Sequence, residues 1–101
     1  MNEIYRLLSI AAKGGKVKSG EFSVMEAIKT KVCYLVLVSE DASQNTKKQF
    51  TDKASFRNIP VYLFGEKESL GRAIGKENRT SIGITDEGLA KAIIKKLGET
   101  T

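Results

Sequence analysis

The 101-residue sequence predicts an α/β fold in which a small sheet lies between layers of helices. Strand and helix signals alternate along nearly the whole chain. The two most apolar runs, VCYLVLV and PVYLF, are short, β-branched and aromatic, as strands covered on both faces are. The composition, 41% hydrophobic and 29% charged with one proline, is that of an ordinary globular chain, and the length suits one domain over residues 1–101 and not two.

The elements follow in order. Ile4, Leu7, Leu8 and Ala11 fall at i, i+3, i+4 and i+7, one apolar stripe of a helix over about residues 2–13 that Gly14-Gly15 ends. In KVKSG, Val17 alternates with lysines for three residues and predicts a very short strand. A second helix turns Val24, Ala27 and Ile28 inward. Ser19 is one candidate for its N-cap, and Ser23 with Glu26 three residues later is a capping-box alternative.

After Lys31, the run VCYLVLVS predicts the central strand. The turn SEDASQNTKK offers Ser43 and Asn45 as caps for a helix carrying Phe50 and Ala54, which must stop before Pro60. PVYLF repeats the buried-strand signal until Gly65 breaks it. Leu70, Ala73 and Ile74 then share a face of a short helix that Gly75 closes, and TSIGI predicts a fourth strand. Asp86 caps the last helix, whose stripe of Leu89, Ala90, Ile93, Ile94 and Leu97 ends at Gly98; the final three residues are expected to fray.

No apolar run approaches the ~18 residues of a membrane span. The start, MNEIYRLLSIAAK, lacks the apolar core of a signal peptide, so the expectation is a soluble, cytoplasmic protein with no membrane partner. The absence of histidine removes Ser-His-Asp and Cys-His nucleophile pairs, common zinc sites and imidazole acid-base work. The single cysteine, Cys33, cannot form an intramolecular disulfide and sits in an apolar run where burial is expected. Seventeen Lys and Arg against twelve Asp and Glu leave a charge of +5, which favours polyanion partners through counterion release.

Three constellations invite chemistry. GRAIGKE, Gly71 to Glu77, looks like a phosphate loop, but three residues separate its glycines and Glu77 stands where Ser or Thr should hold magnesium. A helix in which Gly71 permits close packing and Gly75 ends the last turn explains it better. Glu40 and Asp41 follow the central strand where α/β folds place ligands, but without a third ligand they read as a turn with Asp41 bonding nearby amides. Lys13, Lys16 and Lys18 surround the Gly14-Gly15 turn and lead into the start of helix two, where free amides and a positive dipole end favour phosphates.

KVKSGEFSVMEAIK, a buried strand and then SEDAS, in that order, resemble the kink-turn-binding ribosomal protein family of archaeal large-subunit protein seven-Ae and eukaryotic protein thirty-e. The likeness covers nearly the whole chain and is strongest to small bacterial YlxQ-type members. It is carried by Ser19-Gly20-Glu21, Ser39-Glu40-Asp41-Ala42-Ser43, Asn45-Thr46-Lys47-Lys48, Leu70-Gly71 with Ala73, Gly75-Lys76, and Thr85-Asp86-Glu87-Gly88-Leu89-Ala90-Lys91.

The resemblance implies a three-layer α/β/α sandwich with a four-stranded mixed sheet. It further implies non-enzymatic binding of structured, kink-turn-like RNA, associated with the ribosome, with no cofactor and no small-molecule substrate. The site residues it implies are Gly20, Glu21, Phe22 and Ser23 at the start of helix two and Lys76, Asn78, Arg79 and Thr80 before the last strand, and the helix-start geometry adds Ser19 with Lys16 and Lys18 on phosphates. Gly20 would let RNA approach the backbone, Glu21 would accept from guanine donors, and Phe22 would either stack on a base or pack helix two against its neighbours. Phe22, Ser23 and Glu26 depart from the Asn, Glu and Lys that archaeal and eukaryotic members generally carry there. A protein-interaction scaffold of the same fold is the alternative, and a phosphoryl enzyme centred on Glu40 and Asp41 is a weaker third.

Overall fold

The computed structural model describes residues 2–99. Nine elements follow one another: α1 (Glu3–Lys13), β1 (Val17–Ser19), α2 (Glu21–Lys29), β2 (Leu35–Val38), α3 (Gln44–Phe56), β3 (Val61–Leu63), α4 (Lys67–Ala73), β4 (Ser81–Ile84) and α5 (Glu87–Glu99). The strands form one mixed sheet in the order β1-β4-β2-β3, with β4 antiparallel to both neighbours and β2 parallel to β3. This is the α/β/α sandwich and four-stranded mixed sheet expected above.

Period-two alternation divides the sheet between two cores. Leu35 and Leu37 of β2 and Ile82 and Ile84 of β4 face α1, α4 and α5, where Ile4, Leu8, Leu70, Ile93 and Leu97 close the packing. Val36 and Val38 point the other way, onto α2 and α3, and meet Val24, Ile28, Cys33, Phe50 and Ala54. All four residues of β2 are buried, as a strand between two helical layers requires.

Local chemistry sets the helix ends. The Asn2 side chain accepts the Ile4 amide at 2.7 Å, the Ser43 hydroxyl accepts the Thr46 amide at 3.1 Å, and the Asp86 carboxylate accepts the Leu89 amide at 2.9 Å. Ser43 and Asp86 thus cap as expected, whereas Asn45 lies inside α3.

The structure corrects four expectations. PVYLF is not a strand buried on both faces: β3 is the sheet's edge, paired only with β2, and Tyr62 and Leu63 are exposed. Val32 and Tyr34 fall outside β2 and are exposed, although Cys33 between them is buried. Neither Ser19 nor Ser23 caps α2; Gly20 occupies that position with no side-chain bond to the first turn. Gly98 does not end α5, which continues to Glu99, where the Lys96 ammonium reaches the Glu99 carboxylate at 3.2 Å. Of the three residues expected to fray, Glu99 is therefore helical, and Thr100 and Thr101 lie outside the described residues.

Candidate nucleic-acid interface

Antiparallel pairing of β1 with β4 brings two distant segments to one edge. Ser19, the last residue of β1, lies opposite Ile82, so the chain turns into α2 beside the point where residues 74–80 lead into β4. Two hydrogen bonds sew this edge, the tip. The Gly20 amide donates to the Ser81 carbonyl at 3.2 Å, and Arg79 Nε donates to the Ser19 hydroxyl at 3.2 Å. Arg79 Nη1 also donates to the Asn78 carbonyl at 2.9 Å, which fixes the guanidinium in the seam.

Gly20 has φ +92° and ψ +154°, a backbone region that side chains essentially forbid. A Cβ there would meet nothing within 4 Å, so backbone conformation alone demands glycine, and its outer face is bare. With no side chain capping the helix, the first-turn amides of α2, from Glu21, Phe22 and Ser23, lack intrahelical acceptors. Phe22 is 82% exposed on this turn, which overturns the reading that it packs α2 into the core. Lys18, Phe22, Ser23 and Glu26 together line a shallow hollow on the outer side of α2.

The 74–80 loop is seated on α4. A Cβ on Gly71 would run into the Glu77 carbonyl, so the absence of a side chain is what lets the loop lie against the helix. The Lys76 amide donates to the Gly71 carbonyl at 2.8 Å, and the Arg79 amide to the Lys67 carbonyl at 3.0 Å. Lys76 and Asn78 are left exposed, while Arg79 and Thr80 are half-buried against the sheet. The close packing expected of Gly71 is present, and it serves the loop.

The tip thus brings together Lys18, Ser19, Gly20, Glu21, Phe22 and Ser23 with Lys76, Asn78, Arg79 and Thr80. Lys16 is not among them. It precedes the first residue of β1, three positions from Ser19, or about 10 Å along an extended chain, and its carbonyl accepts the Thr85 amide at the other end of the sheet. The sequence reading missed two anchors, the carbonyls of Ser81 and Lys67. Backbone acceptors leave no mark on residue type, and only the strand register reveals them. The hydroxyl of Ser81, whose carbonyl accepts the Gly20 amide, is buried without a hydrogen-bond partner among the described residues.

Charge at the tip is mixed. Glu21, Glu40, Asp41, Glu66 and Glu77 are exposed close to Lys67, Lys76 and Arg79. Asp41 serves the fold, since its carboxylate accepts the Lys67 amide at 3.1 Å and caps α4, whose own N-cap residue, Glu66, does not. The Ser39 hydroxyl beside it, together with that amide, holds the Asp41 carboxyl below the ordinary carboxylate range. Cys33 is buried, and desolvation pushes its thiol up to about 11, so it stays protonated at neutral pH.

Fold and tip together define a small α/β/α domain whose exposed edge joins a glycine-capped helix start to the loop before the last strand. Residues 2–94 match the model of the ribosomal protein L7Ae/L30e/S12e/Gadd45 family, and the chain belongs to that family. It is 41% identical over 95 residues to the RNA-binding protein YlxQ of Bacillus subtilis, covering 94% of this chain and 95% of that one. It is 30% identical over 86 residues to the large ribosomal subunit protein eL30 of Methanosphaera stadtmanae, covering 84% and 88%.

Among solved structures, a Bacillus halodurans protein described as of unknown function superposes with a TM-score of 0.94 at 35% identity, covering 97% of this chain and 99% of the other. The Giardia lamblia 15.5kD RNA binding protein superposes with a TM-score of 0.82 at 19% identity, covering 96% and 83%, a likeness of fold.

Proposed function

We propose that this protein is a non-enzymatic, cytoplasmic RNA-binding domain that grips structured RNA of the kink-turn type at the tip, in association with the ribosome. The observation that carries the reading is the meeting, at one seam, of the open Gly20 backbone, the uncapped α2 amides and the Arg79 guanidinium, with the Phe22 ring exposed on the outer side of the same first turn. Amides and the Arg79 and Lys18 cations would hold phosphates, and the Phe22 face offers a platform for an unstacked base. Relatives named as RNA-binding and ribosomal proteins support it. A kink-turn presents closely spaced phosphates and a widened groove, which suits a rigid edge better than a broad cationic face.

The mixed charge of the tip favours shape over bulk attraction, and it also gives weight to the second reading, a protein-interaction scaffold of the same fold. A gel shift with kink-turn RNA at about 0.1 M salt separates them. Native protein should bind, and Phe22→Ala should weaken binding about tenfold, the usual worth of one stacked base. Its melting temperature should not move, because the ring is exposed. Absence of a shift, or an unaltered affinity in both Phe22→Ala and Arg79→Ala, would sink the proposal in favour of the scaffold.

A further inference from the structure

The end of the molecule opposite the tip carries more cations than carboxylates. The sheet fixes what lies there: β1 begins after Lys16, β4 runs out into Thr85, β2 begins after Tyr34 and β3 after Pro60, and these four strand ends are adjacent. Helices α1, α2 and α3 all finish at this pole, because each feeds one of those strands. Residues 13–17, 27–35, 53–61 and 84–87 carry six cations, Lys13, Lys16, Lys29, Lys31, Lys53 and Arg57, and two carboxylates, Asp86 and Glu87. At the margin lie Asp52, ion-paired with Lys48 in one hollow with Lys53, Phe56 and Arg57, and Glu26, in one hollow with Thr30 and Val32. Asp86 is engaged with the Leu89 amide and Glu87 with the Lys91 ammonium. Among the described residues none of the six cations is in an ion pair. The tip segments, residues 18–26, 38–43 and 64–80, carry five cations and seven carboxylates.

We propose that this pole is a second RNA-binding surface, which takes a strand distinct from the one at the tip, so that the protein bridges two RNA segments. The charge excess calls for a polyanion, and two further observations narrow the choice. Tyr34, 45% exposed, and Phe56, 82% exposed, present flat rings among the cations, with the Arg57 guanidinium 5.4 Å from the Phe56 ring centroid. An acidic peptide uses the cations alone; single-stranded RNA uses both charge and stacking faces.

Lys31 supplies the second observation. It lies just past α2 with φ +57°, its amide donating to the Ile28 carbonyl at 3.1 Å and the Val32 amide to the Ala27 carbonyl at 3.0 Å. Glycine is the relaxed residue at such a helix end, so lysine costs stability there and places an unpaired ammonium beyond the helix. Offsetting helix dipoles accounts for Lys13, Lys29 and Lys53, which sit in last turns. It does not account for Lys16, in the connection before β1, or for the exposed rings.

The inference rests on the RNA reading only for the identity of the second ligand, and its test does not need the tip to work. The variant Lys29→Gln/Lys31→Gly/Lys53→Gln removes three charges away from the tip and leaves Lys13, which shares a hollow with Ile74 and Gly75 of the 74–80 loop, in place; relaxing residue 31 keeps its melting temperature from falling. Kink-turn RNA is bound first. A labelled single-stranded RNA of mixed sequence, about 15 nucleotides long, is then titrated in at about 0.1 M salt and the ternary complex is read on a native gel. Native protein should form that complex, and the triple variant should bind the second RNA about tenfold more weakly while its kink-turn affinity changes less than about twofold.

Competition of the two RNAs for one site, or an unchanged second affinity in the variant, overturns the proposal. Displacement of the second RNA by polyglutamate at equal charge overturns its assignment to RNA. If kink-turn RNA does not bind at all, the single-stranded RNA is titrated alone against the triple variant and against Phe22→Ala/Arg79→Ala. A loss confined to the triple variant upholds the pole although the tip reading has failed, and a loss confined to the tip variant overturns it.

Discussion

The tip and the opposite pole are built by different means. At the tip, geometry is fixed and charge is nearly cancelled: a glycine in a conformation closed to other residues, a loop pressed onto a helix at Gly71, and an arginine hydrogen-bonded across the seam. At the pole none of the six cations is in an ion pair among the described residues, although the Arg57 guanidinium is held by the Lys53 carbonyl at 3.2 Å and by the Phe56 ring. Recognition of a folded shape requires positions that do not relax, whereas attraction for a polyanion requires only charges. Under the two proposals, the length of the sheet separates these requirements. Substitutions that distort backbone should therefore damage the tip, and neutral substitutions of lysine should damage the pole.

The largest effect is expected at Gly71. Gly71→Ala places a methyl group into the Glu77 carbonyl, and neither the helix nor the loop can give way cheaply because both are backbone. Urea denaturation should show a loss of about 3 kcal/mol, the upper range for overpacking a buried position. Protein that remains folded should bind kink-turn RNA less well, because Arg79 leaves the seam, and should keep its affinity for single-stranded RNA at the pole. Equal loss at both ends would mean that the two regions do not act separately.

A smaller effect is expected at Gly20, where nothing crowds the missing side chain and only conformation is at stake. Gly20→Ala should cost about 2 kcal/mol of strain, or relax by rotating the first turn of α2. Either response moves the amides of Glu21 to Ser23 from their positions at the seam. Tip affinity should fall by more than the loss of stability alone explains, when both are measured well below the melting transition. An affinity that survives would show that cations and not the helix start do the gripping, and the contrast between tip and pole would close.

Much of this molecule was legible in its sequence, and the failures have physical causes. The apolar stripes located every helix, and the almost wholly apolar run VCYLVLV marked a strand covered on both faces, because burial acts on residue type directly. PVYLF misled because an edge strand can be as apolar as a central one when rings such as Phe64 pack on Tyr5, 5.2 Å away. Ser19 looked like a cap and instead receives Arg79, a partner 60 residues away that no local pattern announces. Lys16 and Lys18 are neighbours in the sequence, yet Lys16 lies at the strand end nearer the pole. Whether a charge belongs to tip or pole is decided by strand direction, which residue composition does not encode.

The smallest expected effect sharpens the tip from its acidic side. The Asp41 carboxylate accepts the Lys67 amide at the start of α4, the helix that carries Gly71 and seats the 74–80 loop. Its carboxyl is held below the ordinary 3.8, chiefly by the Ser39 hydroxyl beside it and then by that amide. A carboxylate with a depressed native value stabilises the fold above its ordinary value and loses that contribution as pH falls through the native one. Urea midpoints should therefore show Asp41→Asn slightly less stable than the native protein at pH 7, with the difference vanishing at acidic pH once both side chains are uncharged. Kink-turn affinity at pH 7 should change little, since the carboxylate faces α4 and not the seam. A tenfold gain in affinity would instead show that Asp41 repels phosphate, and that charge, not fixed geometry, limits binding at the tip as well.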